Sequence, residues 1–141
     1  MNETRKILII TDETHQIRNF AEEILYSFRD ISLKNYCTSV LEANNFSGEF
    51  LLPSYAFFIG CTKPKPLSFS YLEDLLGHIN LAGRPCGIFS SNRQTIKYLS
   101  GIIHPSEAEM GNPFIFTDKP AGKKEVLSWI KSILIQGEKN V

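Results

Sequence analysis

The chain has 141 residues, 43% of them hydrophobic and 21% charged, and its fifteen basic and fifteen acidic residues cancel. That length suits one domain with one core. A balanced, dispersed charge excludes the long-range field of a nucleic-acid- or anionic-membrane-binding protein, and no apolar stretch approaches the roughly 20 residues needed to cross a bilayer.

The N-terminal "MNETRKILII" has too short an apolar run for a signal peptide and lacks a small-residue cleavage site. Cys37, Cys61 and Cys86 are odd in number and widely spaced, with no CxxC pair. Free thiols in a reducing cytoplasm are the expectation.

In chain order, "ILII" at residues 7 to 10 is a continuous apolar run, as a central strand covered on both faces requires. A polar turn follows. Ile17, Phe20, Ala21, Ile24, Leu25 and Phe28 then recur at helical spacing, which turns Arg18, Glu22, Glu23 and Arg29 toward water. A weaker strand signal, "NYCTSV" at 35 to 40, fits a sheet edge, and "EANNFSGEFLLPS" reads as irregular with room for one short helix.

"YAFFIG" (55 to 60) predicts a second buried strand, ending at Gly60 and Cys61. The prolines of "CTKPKPLS" hold the next loop extended. Ser70 and Glu73 are spaced as a capping box before a helix with Leu72, Leu75, Leu76 and Ile79 on its apolar face. "CGIFS" (86 to 90) predicts the next strand, and residues 93 to 99 a helix. "HPSEAEMGN" is a polar connection to the strand "PFIFT" (113 to 117). A last helix from about 123 to 135 carries Val126, Ile130, Ile133 and Leu134 on one face, and "GEKNV" is a frayed tail.

Five strands alternating with helices imply a parallel sheet wound by right-handed crossovers. Ligands of such sheets bind beyond the carboxyl ends of the strands, so the loops 11 to 17, 61 to 67 and 90 to 94 carry the candidate site.

"KILIIT", "AFFIGC", "LAGRPCGIF" and the tryptophan-bearing "VLSWIKSIL" resemble, in order and spacing, the strands and closing helix of the flavodoxin-like family. The resemblance implies one domain over 1 to 141, ordered from about 5 to 136, with a five-stranded parallel sheet in the order 2-1-3-4-5 between helical layers. It also implies flavin mononucleotide (FMN) at the strand ends, an electron-transfer role and a redox partner protein. Against that family's Ser/Thr-x-Thr-Gly-Asn-Thr phosphate loop stand Asp12, Glu13, Thr14, His15, Gln16 and Ile17, with Thr14 retained. On the ring side, Cys61, Thr62 and Lys63 stand where the family places a stacking aromatic, and Ser90, Ser91 and Asn92 form the other flank, with Tyr98 within reach.

Asp12 is expected to cap the first helix and so to take the amides a phosphate would use. A phosphate about 4 Å away would also meet like charge, a repulsion on the order of 4 kcal/mol per charge pair at an effective dielectric near 20. One helix terminus contributes only about 0.3 to 2 kcal/mol. His15 and Arg18 could offset part of this. The same scaffold without flavin, acting as a binding or regulatory module, is the alternative.

"KILIITDETHQIR" and "FIFTDKP" are also similar to response-regulator receiver domains. That resemblance implies a metal-holding acidic pair at Asp12 and Glu13 (or Thr11 and Asp12), a switch hydroxyl at Ser90, and Lys119 with Pro120 at the fifth strand. The phosphoacceptor position reads Ile59-Gly60-Cys61, and a thiol forms no acyl phosphate, so a receiver that is not phosphorylated is the form considered. Cys61, at the functional edge, is the best-placed cysteine for a reactive thiol, but no basic partner is visible in sequence and a packing role is the favoured reading. His15, His78 and His104 lack metal-ligand spacing, so no metal site is expected.

Overall fold

The computed structural model describes residues 4–45, 47–119 and 122–139. The sheet is parallel, in the order β2-β1-β3-β4-β5, with β6 also pairing with β4. Its strands are β1 (Arg5–Thr11), β2 (Tyr36–Glu42), β3 (Ala56–Gly60), β4 (Pro85–Ser90), β5 (Glu109–Met110) and β6 (Phe114–Ile115). The helices are α1 (His15–Ser27), α2 (Gly48–Leu51), α3 (Ser70–Leu76), α4 (Arg93–Ile103) and α5 (Lys123–Lys139). The expected order 2-1-3-4-5 is present, and the expected edge strand at 35 to 40 is β2, which among the described residues pairs only with β1.

Alternation along the strands divides the core into two layers. Ile7 and Ile9, with Ala56 and Phe58, face α1 and α5; Leu8 and Ile10, with Phe57 and Ile59, face α3 and α4. The first layer is aromatic: Phe20, Phe58, Phe89, Phe114, Phe116 and Trp129 are all buried there, and the rings of Phe20 and Phe116 stack with centroids 5.0 Å apart. Gly87 lets that layer close, because a Cβ there would stand 2.5 Å from Phe58. Ile17, Phe20, Ala21 and Ile24 form the buried stripe of α1 as expected, while Leu25 is half-buried.

Three expectations are corrected. The fifth strand is not one run at 113 to 117 but two short pieces, the first inside the segment read as polar connection. Cys86 lies opposite Met110 whereas Phe89 lies opposite Phe114, so three steps on β4 match four on the edge. This is a bulge, and Pro113, which has no N–H to give the ladder, sits in it. Trp129 holds the bulge: its indole N–H donates to the Asn112 carbonyl at 2.7 Å.

The second correction is the capping box. α3 is preceded by a 3-10 turn, Leu67–Phe69, and the Ser70 hydroxyl donates back to the Leu67 carbonyl at 3.0 Å instead of capping. Glu73 accepts from the Tyr98 hydroxyl at 2.9 Å. The third concerns lengths. α4 runs to Ile103 and α5 to Lys139, so the tail expected from 137 is helical as far as 139, while 140 and 141 lie outside the described residues.

The β2–β3 crossover is thin, with α2 only four residues long. Arg84 secures it by donating to the carbonyls of Leu51 and Ser54, each at 3.2 Å, and to that of Leu52. Among the described residues no helix is long and apolar enough to cross a membrane.

Candidate functional site

The register of the sheet brings the three candidate loops to one edge. Thr11 lies beside Gly60, and Gly60 beside Phe89, so the chain leaves β1, β3 and β4 at the same level. The Asp12 amide donates to the Gly60 carbonyl at 3.3 Å, and beyond that point the loops are joined by side chains.

Asp12 is the centre of this network. It is 3% exposed. Its Oδ1 accepts from the Thr14 amide at 3.0 Å and the Thr14 hydroxyl at 2.5 Å. Its Oδ2 accepts from the Thr62 amide at 3.0 Å and the Thr62 hydroxyl at 3.3 Å. One carboxylate thus spans the first and second loops, with its charge held by two backbone N–H groups and two hydroxyls.

This corrects the expected cap. Thr14, not Asp12, is the N-cap residue of α1, and among the described residues no side chain caps that helix. The carboxylate turns back across the sheet edge because Thr62 offers it a second amide and hydroxyl. Arg18 does not offset Asp12 either, since its guanidinium stands 3.9 Å from Glu42 on β2.

The second and third loops are bound as tightly. Ser90, fully buried, donates to the Cys61 carbonyl at 2.7 Å. The Asn92 amide group donates to the Thr62 carbonyl at 2.9 Å, and the Thr95 hydroxyl to the same oxygen at 3.2 Å. Asn92 Oδ1 accepts from the Thr95 amide at 2.8 Å, which makes Asn92 the N-cap of α4. The sequence signal for that role is an asparagine just before a helical run. Thr95, absent from the expected site, could have been found from its place three residues after that cap.

The other candidates are dispersed. His15, Gln16 and Lys63 are exposed, and Ser91 is half-buried with its hydroxyl accepting from Asn92 at 3.4 Å. Ile17 is fully buried in the aromatic layer, because it lies on the inward stripe of α1. Gln16 instead lines a cavity of about 180 Å³ with Asn19, Phe20, Glu23, Phe116 and Lys119. Tyr98 is committed to Glu73, and burial together with that bond raises its pKa well above the usual phenol value.

Cys61 behaves as a packing residue. It is fully buried, its thiol donates to the Lys63 carbonyl at 3.3 Å, and burial, reinforced by the nearby Asp12 charge, pushes its pKa up to about 12. Thiolate is the reactive form, so the geometry agrees with the favoured packing reading and not with the reactive one. The receiver pattern also comes apart. Asp12 faces inward while Glu13 is exposed, and a side chain on Gly60 would run into the ring of Phe89. Lys119 is exposed, and Pro120 lies outside the described residues.

In sequence, neither a family model nor a curated protein matches the chain. In structure, the chain is similar to a short-chain flavodoxin associated with a non-canonical PDU bacterial microcompartment, with a TM-score of 0.79 at 11% identity over 94% of this chain and 99% of that one. The chain has the flavodoxin-like fold. This flavodoxin-like chain is also similar to oxidised Flavodoxin 2 from Bacillus cereus, with a TM-score of 0.71 at 16% identity over 96% of this chain and 99% of that one. A third similar structure is general stress protein 14 from Treponema denticola, solved in complex with FMN, with a TM-score of 0.55 at 14% identity over 96% of this chain and 98% of that one.

FMN does not fit the flavodoxin-like chain's own residues as they stand. The amide and hydroxyl of Thr14, the one retained residue of the phosphate loop, are already engaged by a negative charge. Ser90 and Asn92, the polar groups of the ring flank, are turned onto backbone carbonyls of the middle loop. That loop presents Thr62, Lys63 and Pro64, with no aromatic face for stacking.

Proposed function

We propose that this chain uses the flavodoxin-like scaffold without flavin, as a binding or regulatory module. The Asp12 carboxylate carries this reading: buried between Thr14 and Thr62, it supplies from within the protein the anion that a phosphate would otherwise bring. A ligand phosphate would have to displace the carboxylate from four hydrogen bonds and then meet its charge. The deciding experiment is titration of the protein with FMN while flavin fluorescence is followed. Unchanged fluorescence is expected, and stoichiometric quenching, or a preparation that is yellow as isolated, overturns the proposal.

The second reading is atypical FMN binding with electron transfer to a redox partner. One observation favours it: the first-turn amides of α1 have no side-chain cap, and they stand where the fold's phosphate loop meets its helix. Asp12→Ser separates the two. Under the second reading the substitution tightens an affinity already measurable in the unaltered protein; under the first there is none to tighten.

A further inference from the structure

The carboxyl ends of β1 and β2 frame a second hollow, on the α1 side of the sheet. Strand alternation turns Thr11 to the same side as Ile7 and Ile9, toward α1. The register sets Thr11 opposite Glu42 and Ile9 opposite Val40, so those two β2 residues share that side. Arg18, Glu22 and Leu25, at helical spacing, form one stripe of α1. Together with Thr11, Val40 and Glu42 they line a cavity of about 270 Å³. None of these residues belongs to the Asp12 bridge, which crosses the sheet edge toward Thr62.

Thr11 is the unusual member. It is fully buried, and its hydroxyl has no hydrogen-bond partner among the described residues. A buried hydroxyl without a partner destabilises a fold. Valine would fill nearly the same space in a strand without that cost. An unpaired hydroxyl in the lining of a cavity therefore points to a partner from outside the chain.

The walls specify the charge of that partner. Glu22 and Glu42 set two carboxylates against the single guanidinium of Arg18, so the cavity favours a cation. Arg18 stands 3.9 Å from Glu42, beyond hydrogen-bonding distance, which leaves that carboxylate free to accept. A primary ammonium group has three N–H donors and no acceptor. The Thr11 hydroxyl oxygen and the two carboxylates supply three acceptors. Leu25 and Val40 offer apolar surface to a short alkyl chain, which a hydrated metal ion would leave unused. The volume lies just below the roughly 300 to 1,000 Å³ of drug-sized ligand pockets, so the chain must be short.

We propose that the hollow between α1 and the ends of β1 and β2 binds a small aliphatic primary amine as its ammonium ion, with Thr11, Glu22 and Glu42 as acceptors. The proposal goes beyond the flavin question, and its test needs no FMN.

The test is titration of the full chain with butylammonium chloride, followed by amide chemical shifts in NMR spectra. Saturable shifts are expected at Thr11, Arg18 and Glu42, with millimolar affinity because so small a probe makes few contacts. Butyltrimethylammonium, equal in charge but without N–H donors, should bind at least about tenfold more weakly. Thr11→Val and Glu42→Gln should each weaken butylammonium binding about tenfold, the loss of one hydrogen bond to a charged group. Thr11→Val should also raise the thermal midpoint of the ligand-free protein, because it removes the unpaired hydroxyl. A hydroxyl with a purely structural role would lower it on removal. The absence of saturable shifts overturns the proposal, as does equal affinity for the two cations, an affinity unchanged in either variant, or a lower midpoint for Thr11→Val.

Discussion

The indole N–H of Trp129 donates to the Asn112 carbonyl at 2.7 Å, tying the closing helix to the bulge in the edge strand. The ring itself is buried against Phe58 and Phe114, each with its centroid 5.3 Å away. Two contributions can therefore be separated. Trp129→Phe keeps most of the aromatic contact but leaves the carbonyl without its donor, and should cost about 1 kcal/mol. Trp129→Ala removes the packing as well and should cost about 3 to 5 kcal/mol. Urea denaturation of both variants measures the difference.

Asp12 offers a sharper test, because its role is electrostatic and geometric at once. Asp12→Asn has nearly the same shape, but only one amide oxygen can accept. The other position becomes an NH₂ group facing the Thr62 amide or the Thr14 amide, donor against donor. The substitution should destabilise the fold by about 1 to 3 kcal/mol. Asp12→Ala, which frees both loops, should in addition raise hydrogen exchange at the amides of Thr14 and Thr62. Exchange at those two amides unchanged from the unaltered protein would contradict the bridge described here.

The fold was legible because its signals are long and redundant. The apolar runs at β1, β3 and β4 and the inward stripes of α1 and α5 each span several residues, and one misread position does not change the pattern. The bulge was not, since a one-residue slip leaves no period to read and Pro113 looked like a strand start. At the site, the three loops were legible from topology alone. The partners within them were not: Asp12 bonds to Thr62, which is 50 residues away in sequence. Local reasoning therefore gave the carboxylate to the nearest amides, those of α1, and assigned Asn92 to a ligand although its own helix claims it.

Gly60 records how closely the sheet packs beside that site. A Cβ at Gly60 would penetrate the ring of Phe89 on the neighbouring strand. Gly60→Ala must therefore push the aromatic ring out of its place in the layer shared with Phe20 and Trp129. Overpacking of this kind typically costs about 1 to 3 kcal/mol. Gly101 is the matched control, because a Cβ there meets nothing within 4 Å. As an exposed position within α4, Gly101→Ala should instead stabilise by roughly 0.5 to 1 kcal/mol. Thermal or urea unfolding should move in opposite directions for the two variants.

The cysteines give a prediction in both reactivity and pH. Cys37 is exposed, whereas Cys61 and Cys86 are buried. Burial, with the Asp12 charge behind it, raises the Cys61 pKa from 9.0 to about 12, and burial raises that of Cys86 as well. With a thiol reagent at mildly alkaline pH, one thiol should react fast in the native protein and the other two only on unfolding. The same shift has a sign in stability. The folded chain holds its Cys61 proton more tightly than the unfolded chain does, so this contribution is complete below the unfolded thiol's pKa. It is lost as pH rises from about 9 toward 12, because the unfolded state releases the proton first. Cys61→Ala should flatten the alkaline fall in unfolding free energy while lowering its plateau through the lost packing. A Cys61→Ala profile as steep as that of the unaltered protein would assign the alkaline loss to other groups, Cys86, whose thiol is also raised by burial, and Tyr98, raised by burial and by its bond to Glu73, first among them.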